Sequence, residues 1–485
     1  MSASPAEDPV MSASSADAMT ILERFDLDLA SSDPLRFPGY AEQLDRVGAE
    51  SVDTRLVDFG GAKAVVIECR FDRHGGTMGM VAGERIARAY RRATDLRTPV
   101  INLIATGGAR LQEGMLSLIQ MARTTDARAA HASAGLLSVG VLRSPTTGGV
   151  FASWGSQLDL RAARREATVG FGGPLVVEQV TGQLPPPISH TAEAAYAHGM
   201  VDALLDGPDE RHWISAALGH TDTPLRLRRT GPRSYEPFAT AVPRDAWQAV
   251  RRVRRPERPS GLEWAAALTD SWVELRGPDP VIRAGLARMG DIRLVVIAMD
   301  RHARPGGARP GPADYRTAQR AIALAGRLGL PLLTLIDTPG AEPGPDAEAD
   351  DIAGEIARTL RAMSDLTSVS AAVCVGEGGS GGAMALAHAD RLFLLGDAVF
   401  SVIGPEAAAV ILRRDAARAA DMARSLGIRA WDLRCLGLVD GLIDVHSPRL
   451  VDDLRGRVVD ALTTAAVGDR SRRLDTATAG RLRTL

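Results

Sequence analysis

The stretch TPVINLIATGGARLQEG (98–114) decides the fold, because its design occurs twice in the chain. It is an apolar, strand-forming run that ends in a glycine turn, and LPLLTLIDTPGAEPG (330–344) repeats that design. The interval from Pro99 to Pro331 is the same as that between the Gly-Ala pairs at 108–109 and 340–341. Strand and helix patterns alternate around both stretches, which predicts the α/β class.

Three further landmarks repeat in the same order and at nearly the same interval. The pair Gly148-Gly149 corresponds to Gly381-Gly382, Pro174 corresponds to Pro405, and HGMVDALL (198–205) is similar to LGLVDGLI (436–443). Such spacing indicates two tandem copies of one domain. We predict a short, disordered N-terminal segment at 1–37, a first domain at 38–222, a linker at 223–262, a second domain at 263–468 and a polar tail at 469–485.

Composition excludes several classes of protein. The 485 residues are 45% hydrophobic and carry a formal net charge of −2, which favours a globular protein and gives no electrostatic case for nucleic acid or membrane binding. No signal peptide or membrane-spanning run is recognisable, and three scattered cysteines fit a reducing cytoplasm without a structural metal. The single lysine, Lys63, lies between alanines, so a biotin-attachment site or a phosphate loop is not expected in this chain.

Each copy places a glycine pair between a strand and a helix. Glycines there expose unpaired backbone N–H groups at the positive end of the helix dipole, which favours an anion or a transient oxyanion. A rival interpretation is a dinucleotide fingerprint, because GEGGSG (376–381) matches G-x-G-x-x-G and Asp397 follows at a suitable distance. The helix after it is short, and TTGGVFAS in the first copy lacks the pattern, so this interpretation is disfavoured.

The sequence offers few side chains for nucleophilic, acid–base or metal chemistry. Ser380 has no nucleophile motif around it, no metal-ligand spacing occurs, and His74, His198 and His388 are more typical of structural histidines than of general bases. By contrast, each of the two copies offers backbone N–H groups that can stabilise a negatively charged oxygen. This balance favours chemistry through the enolate of a thioester.

The long motifs at 75–123, 144–155 and 170–180 resemble the beta subunit of the bacterial acetyl-CoA carboxylase carboxyltransferase, and those at 309–344, 376–387 and 401–412 resemble its alpha subunit. The resemblance covers about 35–465 and implies two tandem crotonase-like domains (ClpP/crotonase superfamily) fused in beta-then-alpha order. It implies transfer of a carboxyl group from carboxybiotin to the α-carbon of acetyl-CoA or a related acyl-CoA, giving malonyl-CoA or a homologue.

The resemblance also assigns residues. It implies that Gly148 and Gly149 hold the thioester enolate oxygen and that Gly381 and Gly382 hold the biotin ureido oxygen. The residues that it places around the substrates are Gly107, Gly108, Ala109, Arg110, Gly172, Gly173, Thr338, Pro339, Gly340, Ala341, Gly378, Gly379 and Pro405. It further implies acyl-CoA as substrate, biotin on a separate carrier protein, a separate biotin carboxylase, no metal, and a homodimer or higher homo-oligomer in the cytoplasm.

The chain departs from the family pattern at several points. Glu342 replaces the tyrosine of D-T-P-G-A-Y-P-G, Ala407 replaces a glycine, and the beta subunit's four-cysteine zinc ribbon is missing. A carboxylate facing a carboxylated cofactor repels it unless the side chain turns away or is protonated. Two alternatives therefore stay open: a biotin-independent decarboxylase of a malonyl thioester, and a non-catalytic binding or assembly subunit.

Overall fold

The computed structural model describes residues 19–227 and 241–482, which form two compact units. The first unit runs to Glu193 and includes Leu204–Thr221, and the second consists of Ala194–Ala203 and the chain from Asp222 onward. Each unit contains one eight-stranded sheet with helices between its parallel strands. The α/β class expected from the sequence is confirmed.

The strands of the first sheet are β1 (Met19–Phe25), β2 (Val52–Phe59), β3 (Ala62–Cys69), β4 (Val100–Thr106), β5 (Ser138–Thr147), β6 (Leu160–Arg164), β7 (Val169–Gly170) and β8 (Ala203–Leu205). They pair in the order β1-β2-β3-β4-β5-β6-β8, and β7 pairs with the carboxyl end of β5. Strands β1 to β3 are antiparallel and β3 to β6 are parallel. The helices of this part of the chain are α1 (Tyr40–Val47), α2 (Met80–Asp95), α3 (Met115–Leu118), α4 (Gln120–Ser133), α5 (Gly148–Phe151), α6 (Pro174–Thr181), α7 (Ala192–Ala197) and α8 (Glu210–Leu218).

The strands of the second sheet are β9 (Ser271–Leu275), β10 (Ile282–Met289), β11 (Ile292–Met299), β12 (Leu332–Thr338), β13 (Ser370–Gly379), β14 (Arg391–Leu395), β15 (Val399–Ser401) and β16 (Gly441–Ile443). They pair in the order β9-β10-β11-β12-β13-β14-β16, with β15 on β13. The helices are α9 (Ala246–Val253), α10 (Gly261–Leu268), α11 (Pro312–Leu328), α12 (Pro345–Ala349), α13 (Ile352–Asp365), α14 (Ser380–Ala387), α15 (Pro405–Arg413), α16 (Ala419–Ser425), α17 (Ala430–Cys435), α18 (Leu450–Thr464) and α19 (Asp469–Ala479).

The two sheets share strand order, and their central parallel strands share pairing register. In the first, Thr106 pairs with Thr146 after an irregularity that follows Ile104. In the second, Thr338 pairs with Gly378 after an irregularity that follows Ile336. Every one of these landmarks recurs at the interval that separates Pro99 from Pro331, so the repeat read from the sequence extends to the local distortion at the strand ends.

Burial explains why the two quoted stretches form central strands. All seven residues of β4 and all seven of β12 are buried, because parallel strands covered by helices on both faces have no solvated side. The buried polar groups in these strands are hydrogen-bonded: the side-chain amide of Asn102 donates to the Val139 carbonyl oxygen, and the Thr334 hydroxyl donates to that of Leu386. The glycine turns that follow are thereby held at one edge of each sheet.

Ordered structure begins earlier and ends later than the composition suggests. Strand β1 lies within 1–37 and pairs with β2, helices α9 and α10 lie within 223–262, and α19 lies within 469–485. Helix α9 places Ala246, Ala249, Val250 and Val253 in a buried cluster of the second unit, a helical spacing that the surrounding arginines obscured. The expectations for residues 1–18, 228–240 and 483–485 fall outside the described residues.

Within residues 19–227 and 241–482, no helix combines the length and the apolar character that crossing a membrane requires.

Candidate functional site

Each unit has a cavity at the carboxyl end of its two central strands. The first cavity measures about 770 Å³, and the predicted site residues that line it are Gly107, Ala109, Arg110, Gly148, Gly149, Gly172 and Gly173. The second measures about 1140 Å³, and those that line it are Pro339, Gly340, Ala341, Gly381 and Gly382. The structure thus brings the glycine pair and the preceding strand-end loop together in each unit.

In the first cavity, the close approach of two loops requires glycine. Gly148 has a φ of +66°, and a Cβ atom there would lie 2.8 Å from the Cα atom of Gly108. Its amide is already engaged, because the Gly148 N–H donates to the Phe171 carbonyl oxygen at 2.8 Å. Gly148 therefore shapes the loop, and its N–H is not free to hold a substrate oxygen as the sequence suggested.

The amides of Ala109 and Gly149 are available instead. The N–H of Gly108 donates to the Thr106 hydroxyl at 2.9 Å and that of Arg110 to the Met78 carbonyl oxygen at 3.1 Å. Neither the Ala109 nor the Gly149 N–H donates to any acceptor in the described part of the chain. Both residues line the same cavity, so two free peptide donors border one space.

The second cavity reproduces this arrangement at the equivalent positions of the repeat. The Gly340 N–H donates to the Thr338 hydroxyl at 3.1 Å and the Glu342 N–H to the Pro310 carbonyl oxygen at 2.9 Å. Between them, the Ala341 N–H finds no acceptor in residues 19–227 or 241–482, and neither does that of Gly381. Ala341 and Gly381 are the counterparts of Ala109 and Gly149.

The strand register corrects the alignment of the glycine pairs by a single position. The counterpart of Gly148 is Ser380, which has a matching φ of +57°, and Gly382 stands where the first unit has Val150. Gly382 still needs to be glycine, because a Cβ atom there would lie 2.7 Å from the Ala341 amide nitrogen and 2.6 Å from the Tyr315 hydroxyl oxygen. That hydroxyl is buried and has no hydrogen-bond partner among the described residues.

The remaining predicted residues support these loops. Thr338 fixes Gly340 through its hydroxyl, Gly378 and Gly379 end strand β13, and Pro405 is the buried first residue of α15. In the first unit, Gly172 and Gly173 border the cavity and lead into α6.

Arg110 lies in a buried ionic network. Its side chain is 1% exposed and is ion-paired with Glu50 and Glu113, while the Tyr40 hydroxyl donates to Glu113. Burial opposes ionisation of Glu50, but the hydrogen bonds and charge of Arg110 prevail and lower the pKa of Glu50 to about 2. Because its guanidinium is fully engaged, Arg110 positions the loop that carries Ala109 rather than contacting a substrate charge.

Replacing Arg110 with methionine is expected to lower the free energy of unfolding by about 3–5 kcal/mol, since two buried carboxylates lose their partner. Urea unfolding at pH 7 measures this. The matched control is Arg70→Met, which breaks an exposed pair with Asp72 and should cost about 0–1 kcal/mol. Because folding lowers the pKa of Glu50 from 4.5, its pairing stabilises the wild type above pH 4.5 and is lost as the pH falls toward 2. Equal losses for the two variants would contradict this role of Arg110.

The dinucleotide interpretation is not supported by the structure. Asp397 is buried and ion-paired with Arg258 and Arg252, so it cannot reach a ribose. Among the histidines considered as bases, His74 lines the first cavity, where burial and the charge of Arg110 lower its pKa.

Comparison with known proteins agrees with the repeat. A family model described as carboxyl transferase domain matches residues 32–206, and one described as acetyl co-enzyme A carboxylase carboxyltransferase-like matches residues 240–451. A protein of Saccharopolyspora erythraea named acetyl-coenzyme A carboxylase carboxyl transferase subunits beta/alpha is 38% identical, over 93% of this chain and 83% of its own length. The probable biotin-dependent acyl-coenzyme A carboxylase beta3 subunit of Mycobacterium bovis is 36% identical, over 87% of both chains.

Solved structures show the same fold. The transcarboxylase 12S structure, described as a hexamer with methylmalonyl-coenzyme A bound, superposes with a TM-score of 0.75 at 18% identity, covering 96% of this chain and 88% of that one. A single-chain, multi-domain long-chain acyl-CoA carboxylase gives a TM-score of 0.71 at 20% identity, over 91% and 44%. The expected pair of tandem crotonase-like domains is confirmed. The fold carries two amide-lined cavities, and relatives 36–38% identical match most of the chain. The chain therefore belongs to the carboxyltransferase family of the biotin-dependent acyl-CoA carboxylases, as a fused beta/alpha-type enzyme.

Proposed function

We propose that this chain transfers a carboxyl group from biotin, carried on a separate protein, to the α-carbon of acetyl-CoA or a related acyl-CoA. The observation that carries the proposal is the presence of two equivalent pairs of amides that donate to no acceptor among the described residues, Ala109 with Gly149 and Ala341 with Gly381. Preorganised N–H donors stabilise charge that develops on an oxygen, and removing one typically costs on the order of 10²–10³ in rate. Each pair serves one of the two carbonyl oxygens that gain charge in carboxyl transfer.

The first cavity suits the acyl thioester. Besides the amides, its lining includes the apolar side chains of Phe37, Leu118, Met121, Phe171 and Val176. Such a lining excludes water and strengthens hydrogen bonds to an enolate oxygen. Ala109 and Gly149 hold that oxygen, and no side-chain acid is needed to stabilise it.

The second cavity suits the ureido ring of biotin. The carbonyl oxygen of this ring is a neutral acceptor that gains negative charge during transfer, so it can accept hydrogen bonds from the Ala341 and Gly381 N–H groups. Because Gly382 has no side chain, the Ala341 amide can lie close to it. When bound, biotin supplies the carboxyl group. Glu342, the residue that departs from the family pattern, turns its carboxylate back to accept the Gly344 N–H at 3.2 Å, which reduces the repulsion anticipated from the sequence.

We infer that other chains supply biotin and its carboxylation. The one lysine, Lys63, is not part of a biotin-attachment motif, so we place the biotinyl carrier and the biotin carboxylase on separate proteins in the cytoplasm. Helix α6 exposes Leu175 and Val180, and α15 exposes Ile411 and Leu412. Apolar patches beside both cavities favour a homodimer or higher homo-oligomer.

One assay tests the proposal. Purified protein is incubated with malonyl-CoA, with and without free biotin or the biotinyl carrier, and the CoA products are followed. Loss of malonyl-CoA that depends on biotin is the expected result, because it is the transfer run in reverse. Loss without biotin would identify a decarboxylase, and CoA binding without turnover would identify a silent subunit; either result would overturn the proposal.

A further inference from the structure

Four arginines line the second cavity, and three of them are neutralised by acidic partners. Arg254 pairs with Glu377 at 2.6 Å and with Glu406 at 2.5 Å. The other two pairs are Arg301 with Asp337 and Arg304 with Asp279. The fourth, Arg309, makes no hydrogen bond or ion pair with any residue in 19–227 or 241–482 and is half-buried.

Arg309 is held against the loop formed by residues 340–342, which carries the Ala341 amide. The next residue, Pro310, accepts the Glu342 N–H through its carbonyl oxygen, which fixes this segment against the 340–342 loop. The Arg309 Nη1 atom lies 3.4 Å from the position of a Cβ atom at Gly340. Gly340 has a φ of +137°, and its lack of a side chain leaves open the face against which the guanidinium lies.

A half-buried guanidinium without an ion-pair partner is poised to bind an anion. The charge of Arg309 helps to lower the pKa of Glu406, but that carboxylate is already paired with Arg254. Arginine presents N–H donors in a planar fork that matches a carboxylate, and such charge-assisted hydrogen bonds are roughly twice as strong as neutral ones. The neighbouring Ala341 and Gly381 amides also favour negative charge. All three groups line the second cavity.

We propose that Arg309 binds the carboxylate of the group being transferred and thereby makes the second cavity selective for carboxylated over unmodified biotin. This inference rests on the proposed function and deepens it. A guanidinium here also offsets the negative charge of Glu342, which lines the same cavity. Arg309 is thus a specificity-determining residue in addition to the amides.

Equilibrium binding tests the inference independently of turnover. Isothermal titration calorimetry of malonate, a stable carboxylate probe, is carried out on the full chain, with uncharged malonamide as the control ligand. Arg309→Met should weaken malonate binding about tenfold or more, as expected for loss of a charged hydrogen-bonding partner, and Arg309→Lys should retain most of it. Malonamide should not distinguish the proteins.

Arg304→Met is the matched control variant, because Arg304 lines the same cavity but is exposed and paired with Asp279. It should change malonate affinity by less than about twofold, as expected for a solvent-screened charge. Equal weakening by both variants, or unchanged binding by Arg309→Met, would overturn the inference. If Arg309-dependent binding is found but the wild type shows no biotin-dependent transfer, the proposed function fails while the anion site stands.

Kinetics supply a second readout. With Arg309→Met, the KM for the carboxylated carrier in the forward direction should rise about tenfold or more. The KM for unmodified free biotin in the reverse assay should stay within about twofold, because that ligand presents no carboxylate on its ureido ring. An equal rise of both constants would show that Arg309 only maintains the shape of the cavity, contrary to the inference.

Discussion

Replacing Gly382 with alanine is expected to reduce biotin-dependent carboxyl transfer by about 10²–10³-fold, the loss typical of removing one oxyanion donor. The new Cβ atom would lie 2.7 Å from the Ala341 amide nitrogen and 2.6 Å from the Tyr315 hydroxyl oxygen. Because Tyr315 is fully buried in the core, the Ala341 loop must move. The second cavity then loses the alignment of its two donors.

The neighbouring glycine provides a matched control. A Cβ atom at Gly381 would approach nothing closer than a methyl group of Ile356 at 3.8 Å, and alanine keeps the backbone N–H. Gly381→Ala should therefore retain activity within about threefold, while Gly382→Ala loses it, as the different packing of the two sites requires. The reverse malonyl-CoA assay measures both variants. Calorimetry of CoA binding, which we propose to occur in the other unit, should show no change. Equal activities for the two variants would contradict the assigned donor pair.

The repeat and the α/β class could be predicted from the sequence because both depend on local pattern. Two apolar runs with the same proline and glycine spacing define β4, β12 and the turns after them. The choice of donors depends on contacts between residues that are distant in the chain. The Gly148 amide is occupied by the carbonyl oxygen of Phe171, which lies beyond α5 and β6, and nothing in the glycine pattern signals that bond.

Two other features show the same limit. The strand register pairs Gly148 with Ser380, one position before the Gly381 that the sequence alignment chose. The sequence could not show this, because a serine occupies the position where the first unit has a glycine. The sequence does not single out Arg309, because its significance is that no described residue pairs with it, which is a property of the folded cavity. The one signal in the sequence is that Arg309 directly precedes the rigid segment Pro310-Gly311-Pro312, which leads into α11.

Replacing Gly148 with alanine should reduce transfer about 10²-fold or more, by separating the Ala109 and Gly149 amides of the first cavity. The Cβ atom would lie 2.8 Å from the Cα atom of Gly108, so backbone, which cannot rotate away, must shift. The φ of +66° adds about 1–2 kcal/mol of strain for a residue with a side chain. The expected defect is a fall in kcat, since the apolar lining that binds the acyl group is unchanged.

Ser380→Ala is the matched control in the other unit, because serine already tolerates the equivalent conformation at a φ of +57°. It should leave both activity and urea stability near those of the wild type, which separates the strain of a positive φ from the contact with Gly108. Thermal unfolding of Gly148→Ala checks that the fold persists, and calorimetry checks that CoA still binds. If Gly148→Ala kept more than a tenth of wild-type turnover, the close approach of the two loops would not be what aligns the donors, and the enolate oxygen would have to be held elsewhere in the first unit.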